Sequence, residues 1–122
     1  MTMTKMRGVI GTIALFTVLA SVPAHADRLQ STGKITFLRV HDVGTGFGPP
    51  SDFINVEVVI QLDTHPGESF GFQLRVDANR AAREGMLNLL RDAFDNNSNV
   101  TIDYDITPPK KNGVIMRVAL RK

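Results

Sequence analysis

Residues 53–62 read FINVEVVIQL. Ile54, Val56, Val58, Ile60 and Leu62 alternate with Asn55, Glu57, Val59 and Gln61. A period of two turns into one apolar face only on a β-strand, so Phe53–Leu62 is read as a strand with one face in a core. The next residues, Asp63–Glu68 (DTHPGE), hold Pro66-Gly67, a turn signal. Beyond it Phe70, Phe72, Leu74 and Val76 alternate with Gly71, Gln73 and Arg75. Two alternating runs around a short turn predict a hairpin of the second and third strands.

Toward the N-terminus, Gly44–Asp52 (GTGFGPPSD) is too rich in Gly and Pro for regular structure and is a loop. Before it, Lys34–Val40 (KITFLRV) is the first strand, and Asp27–Ser31 a loose lead-in. Toward the C-terminus the period changes. Ala82, Met86, Leu89, Leu90, Ala93 and Phe94 recur at spacings of three and four, one face of a helix. Asp77 or Asn79 is the candidate N-cap, and the Asn-rich run Asp95–Asn99 is the stop. Val100–Tyr104 is a fourth strand, Thr107–Gly113 (TPPKKNG) a turn, and Val114–Leu120 a fifth strand with Val114, Met116, Val118 and Leu120 inward. The fold class is mainly β with one helix, in the order β-β-β-α-β-β. That order fits the OB-fold, a five-stranded Greek-key barrel, with the helix plugging one end through Met86, Leu90 and Phe94. The competing arrangement is an α+β sandwich with an open five-stranded sheet.

The first 26 residues are expected to be a cleaved export signal. Lys5 and Arg7 precede an apolar run, Val9–Ala20, and Ala24-His25-Ala26 is a small-residue cleavage site. The run falls short of the roughly 20 residues a membrane span needs, and Asp27, not Cys, follows the cut. The localisation expected is therefore periplasm or medium. Lys5 and Arg7 are two of the chain's 14 Lys and Arg, whereas all 12 Asp and Glu lie beyond the leader. The exported part is then neutral, which argues against a generic nucleic-acid footprint. It is long enough for a single domain, 27–122. There is no cysteine, so disulfides, thiol chemistry and thiolate metal sites are excluded.

From the third strand onward the chain reads FGFQLRVDANRAAREGMLNLLRDAFDNNSNVTIDYDITPPKKNGVIMRVAL. It resembles a group of small exported bacterial OB-fold proteins. In them a strand runs into a helix with a Met/Leu-x-x-Leu-Leu-x-x-Ala core, then a polar turn, V-x-I-x-Y and a closing strand. Here those positions are Met86, Leu89, Leu90, Ala93, Val100, Ile102 and Tyr104. The opening strand, GKITFLRVHDVG, is similar as well. The group includes the B subunits of subtilase cytotoxin and typhoid toxin, which assemble as rings of five and bind host glycans. The resemblance implies an OB-fold, a homo-oligomer and a glycan or protein partner. The chain departs from those subunits in lacking Cys and in having only TPPKKNG where they carry a long aromatic segment. No sugar-binding position carries over residue by residue.

Candidate chemistry is sparse. His41-Asp42 would be an acid/base pair only if both side chains met, and strand neighbours point to opposite faces. His65 is a further titrating group, but no spacing of His, Asp and Glu makes a metal motif. Gly44-x-Gly46-x-Gly48 lacks the residues of a phosphate loop, and no cofactor is implied. In an OB-fold the loops between strands one and two and between four and five border the binding face. The ligand-binding candidates are therefore Asp42, Thr45, Phe47, Ser51, Asp52, Lys110 and Lys111. Phe47 between two glycines either tucks onto the sheet or stays out as a stacking platform. The expected function is a non-enzymatic exported binding module that recognises a glycan or protein through loops and strand face. The alternatives are a periplasmic accessory protein with a larger protein partner, and single-stranded nucleic-acid binding.

Overall fold

The structure is a computed structural model and describes residues 27–122. The expected export signal, residues 1–26, lies outside the described residues. Five strands and one long helix follow one another as β1 (Asp27–Val40), a 3-10 turn (Pro50–Asp52), β2 (Val58–Leu62), β3 (Phe70–Phe72), α1 (Arg80–Asp95), β4 (Asn99–Ile106) and β5 (Gly113–Leu120). The sheet closes on itself in the order β1-β2-β3-β5-β4. The open-sheet alternative is thereby overturned. No helix among the described residues is long and apolar enough to cross a membrane.

Closure rests on β1. Its first half, Asp27–Lys34, pairs antiparallel with β4, and its second half, Ile35–Val40, pairs with β2. The register slips between Ile35 and Phe37, a bulge of the kind that bends a strand and raises its twist. The expected loose lead-in, Asp27–Ser31, is therefore corrected: it is a full strand. It carries no apolar alternation because its role is to supply backbone hydrogen bonds to β4. The ring is completed by a two-residue parallel contact, Phe70 with Gly113 and Gly71 with Val114.

The core lies inside the ring. Val58, Ile60, Leu62, Phe70, Phe72, Leu90, Val100 and Ile102 are all exposed by 1 % or less. Tyr104 joins them, its ring 4.6 Å from that of Phe70. On α1, Leu90 and Ala93 are buried, with Met86 and Leu87 packed against the core. Phe94, expected on that face, is 45 % exposed. Periodicity selects a face but not how far along the helix the sheet reaches. Asn97 takes a left-handed φ of 52° and the Ser98 N–H donates to Ala93 O at 2.9 Å, which ends the helix as a Schellman-type cap. At the other end Asn79 is the N-cap residue but its side chain caps nothing. Asp77 Oδ1 accepts from Asn79 N–H just outside the helix instead.

Three strand expectations are corrected. The ladder of β2 starts at Val58, not Phe53, and Val59, expected outward, is fully buried. β3 stops at Phe72, leaving Val76 87 % exposed. In β5 the inward residue near the turn is Ile115, with Val114 43 % and Leu120 38 % exposed. A register shift between Asp103 and Tyr104 inverts the pleat there, and a shift of one residue sends every side chain to the other face.

Candidate binding surfaces

The loop after β1 begins with a turn in which Asp42 O accepts from both Thr45 N–H (3.3 Å) and Thr45 Oγ1–H (2.8 Å). Phe47 and Ile54 then exchange backbone hydrogen bonds at 3.0 and 2.8 Å, so the segment doubles back. At the tip, Asp52 reaches the β4–β5 turn. Its Oδ1 accepts from Lys111 N–H at 2.8 Å and Asn112 N–H at 2.9 Å, while its backbone O accepts from the Asn112 amide at 2.9 Å. Asn112 Oδ1 accepts in turn from Ser69 N–H at 3.0 Å. Three loops are thus tied at one joint. Gly48 is needed there: φ is 102°, and a Cβ would lie 2.7 Å from Asp52 O.

The joint gathers some of the expected residues and not others. Ser51, Asp52 and Lys111, with Pro49 and Pro109, line a shallow cleft of about 300 Å³. Lys110 sits in the same turn, its N–H on Thr107 O at 3.0 Å. Asp42 and Thr45 belong to the other turn of the loop and do not line this cleft. Asp52 holds the rim together through Oδ1. Asn112, 5 % exposed, was missed because a lone Asn before Gly reads simply as a turn residue.

Phe47 is half-buried. It packs on a second apolar cluster, Ile54, Val56 and Val59, together with Phe37. The Arg39 guanidinium lies 5.1 Å from the Phe47 ring centroid and 5.6 Å from that of Phe37, within cation–π range. The ring is therefore tucked, with Arg39 over it. The cluster has a second consequence. Val56 lies so close on Gly71 that a Cβ there would come within 2.6 Å of Val56 Cγ2. The outer face of β2 and β3 is sealed by the chain's own first loop.

Two polar networks pin that architecture. Glu57 is buried, and Arg75 grips it with Nε on Oε1 (3.1 Å) and Nη2 on Oε2 (2.9 Å). Leu74 N–H adds a bond to Oε1 at 2.9 Å, and Arg75 Nη2 also reaches Asn55 Oδ1. Burial works to raise the Glu57 carboxyl, but the bonds from Arg75 and Leu74 and the charges of Arg75 and His41 outweigh it and hold the group below its ordinary value. This clamp draws the chain out of β3 after Phe72. His41 donates Nε2–H to Val56 O at 2.7 Å; it bonds the loop and makes no pair with Asp42. Its Nδ1 is buried without a partner.

The second network is a hydroxyl chain. Thr64 Oγ1 donates to Thr32 O at 2.9 Å, so at 3.0 Å it accepts from His65 Nδ1–H. His65 Nε2 then accepts from Ser31 Oγ at 3.1 Å, and Ser31 accepts from Tyr104 OH at 2.7 Å. A serine on an imidazole nitrogen is the geometry of an activated nucleophile. Here Ser31 is 7 % exposed, whereas His65 is half-buried and Thr64, at the other end of the hydroxyl chain, is exposed. The hydroxyl chain satisfies buried polar atoms where β1, β4 and the hairpin turn meet.

A third surface lies along β5. One hollow of about 300 Å³ separates Ala82 and Met86 of α1 from Val114–Met116. A second of about 360 Å³ shares Ala82, Met86 and Met116 and extends over Gln30 of β1, Thr101 and Asp103 of β4, and Val118 to Arg121. Nothing in the sequence pointed to it, because it is formed by elements distant in the chain. No family model, no curated protein and no solved structure matches this chain.

Proposed function

We propose that the chain is an exported, non-enzymatic binding module with an OB-fold-like barrel, and that it recognises a glycan at the rim where its loops are joined. The observation carrying this reading is the Asp52 joint. It holds Ser51 and Lys111, from loops some sixty residues apart, on one cleft. A hydroxyl, a lysine and two proline faces suit a sugar: the polar groups hydrogen-bond hydroxyls and the rings offer apolar contact. A rim pre-organised by hydrogen bonds between its loops loses little entropy on binding. The strand order and the parallel contact of β3 with β5 support the OB-fold reading. The sealed outer face of β2 and β3 moves the proposed contact from strand face to loops.

Each cleft is shallow, so single-site affinity is weak and a multivalent assembly raises it. The test is a glycan array probed with the purified protein in multivalent display. Binding that drops at least about tenfold in Ser51→Ala/Lys111→Ala supports the reading. No binding by the wild type in that format would sink it.

A further inference from the structure

The larger hollow beside β5 has a floor and a wall of different chemistry. The floor is the outer face of β1, β4 and β5. Gln30 stands opposite Asp103, Asp103 opposite Arg117, and Thr101 opposite Ala119, so these side chains share one face. The wall is Ala82 and Met86 of α1 with Met116 and Val118 of β5. Met116 owes its place to the register shift. Tyr104 pairs with Ile115 and Asp103 with Arg117, so Met116 has no partner on β4, and a bulge re-aims a side chain in this way. Met86, Met116 and Val118 are only half-buried, and Ala82 is exposed. Two thioether side chains make a wall that adapts to what it touches, and no aromatic ring lines either hollow.

The charge of this hollow is unbalanced. Asp103, with a side chain 15 % exposed, is already engaged: Oδ1 accepts from the Gln30 amide at 2.8 Å and Oδ2 from Arg117 Nη1 at 3.4 Å. Arg117 uses one donor there and is 70 % exposed. Arg121 makes no ion pair among the described residues. Two guanidiniums therefore line the hollow against one carboxylate. A guanidinium carries its donors in a planar fork that matches a carboxylate. The adjoining hollow shares Ala82, Met86 and Met116 but offers no spare cation. Its Arg83 pairs with Asp77 at 3.2 Å, and its Asp105 adds a negative charge that Arg28 meets only at 3.9 Å. An anionic head is thus directed to Arg117 and Arg121, and an apolar tail to the space between the methionines.

We propose that the larger hollow binds a free aliphatic carboxylate, a medium-chain fatty acid, with its head on Arg117 and Arg121 and its chain against Met86, Met116 and Val118. At about 360 Å³ the hollow lies at the small end of ligand pockets, which suits one chain of about eight carbons and excludes a two-chain lipid. The site uses none of the residues lining the rim cleft and stands independently of the glycan reading.

The probe is octanoate, titrated into the purified, isotope-labelled protein and followed by NMR. Saturable shifts are expected at Thr101, at Arg117–Arg121 and at the methyls of Met86 and Met116, with Lys111 and Asn112 unmoved. Full burial of a methylene tightens binding about fourfold, and a hollow open on one side gives about twofold, so octanoate should bind about fourfold tighter than hexanoate. Octanol, which keeps the tail without the charge, and octylammonium, which reverses the charge, should each bind at least about tenfold more weakly. Arg121→Ala should weaken octanoate at least about fivefold and leave octanol unchanged, and Arg121→Lys should recover part of the loss. Ala82→Glu, at an exposed helix position, puts the protein's own carboxylate in the hollow and should weaken octanoate at least about tenfold without lowering the melting temperature. Ser51→Ala/Lys111→Ala should leave octanoate binding intact, so failure of the rim reading and failure of this one are separable. The proposal is overturned by the absence of saturable shifts at about 10 mM octanoate, by octanol binding as tightly as octanoate, by full binding in Arg121→Ala or Ala82→Glu, or by shifts centred on Lys111 and Asn112.

Discussion

Replacing Arg75 by Ala removes the main partner of a buried carboxylate. Glu57 has a side chain 2 % exposed, whereas Arg75 is 30 % exposed. The substitution strips both guanidinium bonds from Glu57 and leaves only Leu74 N–H. Breaking a buried pair by removing one partner costs about 3–5 kcal/mol. Water entering through the vacated Arg75 position reduces this, so about 3 kcal/mol is expected. For a domain of this size that is a fall in melting temperature of about 15 °C. The pH dependence makes the reasoning specific. In the wild type the folded carboxyl lies below its ordinary value of 4.5. Its contribution is thus complete above that value and is lost as pH falls through the lower folded value. In Arg75→Ala, burial, the largest effect on this carboxyl, is opposed only by the Leu74 N–H and the His41 charge, so the folded carboxyl is expected to rise relative to the wild type. The penalty is then full at neutral pH and shrinks as pH falls through the raised value, because the acid binds its proton in the folded state. Urea unfolding of both proteins from pH 4 to pH 8 measures the difference. A gap that stays constant across that range, or one below about 1 kcal/mol, would refute the account. Glu57→Gln in the Arg75→Ala background should restore stability at neutral pH.

Other positions give sharp tests. Asp52→Ala should cost about 2–3 kcal/mol, since two backbone donors lose a charged acceptor, and amide exchange at Lys111 and Asn112 should rise well above that of β5. Tyr104→Phe removes the start of the hydroxyl chain and should cost about 1 kcal/mol by denaturant titration. Val59→Asn, in a face that alternation assigns to solvent, should cost more than about 2 kcal/mol if the first loop seals that face, and a neutral effect would show the loop to be loosely placed. Arg39→Ala removes only the surface cation–π contacts to Phe37 and Phe47 and should cost about 0.5–1 kcal/mol.

Some elements were readable from local rules alone. The helix followed from the spacing of Met86, Leu90 and Ala93, and its end from the Asn run, because both depend on neighbours three or four residues apart. The hairpin around Pro66-Gly67 and the mainly β class followed from period-two alternation. Where alternation failed, a non-local event had intervened. Val59 is buried by a loop that alternation knows nothing of, and Ile115 replaces Val114 because a bulge resets the pleat. Asp27–Ser31 has no pattern of its own, since a strand held by β4's backbone needs none. In the candidate sites, Ser51, Asp52 and Lys111 were legible as residues of two loops. That Asp52 is a joint, and that Arg39 lies over the tucked Phe47, was not.

The residues between Phe53 and Leu62 show the division most clearly. By itself the sequence determined that this stretch is extended and largely apolar, since side-chain order along a strand is a local property. Only the tertiary structure decided that the ladder starts at Val58, that Glu57 turns inward to Arg75, and that Val56 and Val59 close the outer face. Those outcomes depend on which distant backbone arrives opposite each side chain. The joined rim arises in the same way, from a meeting between segments that no local pattern encodes.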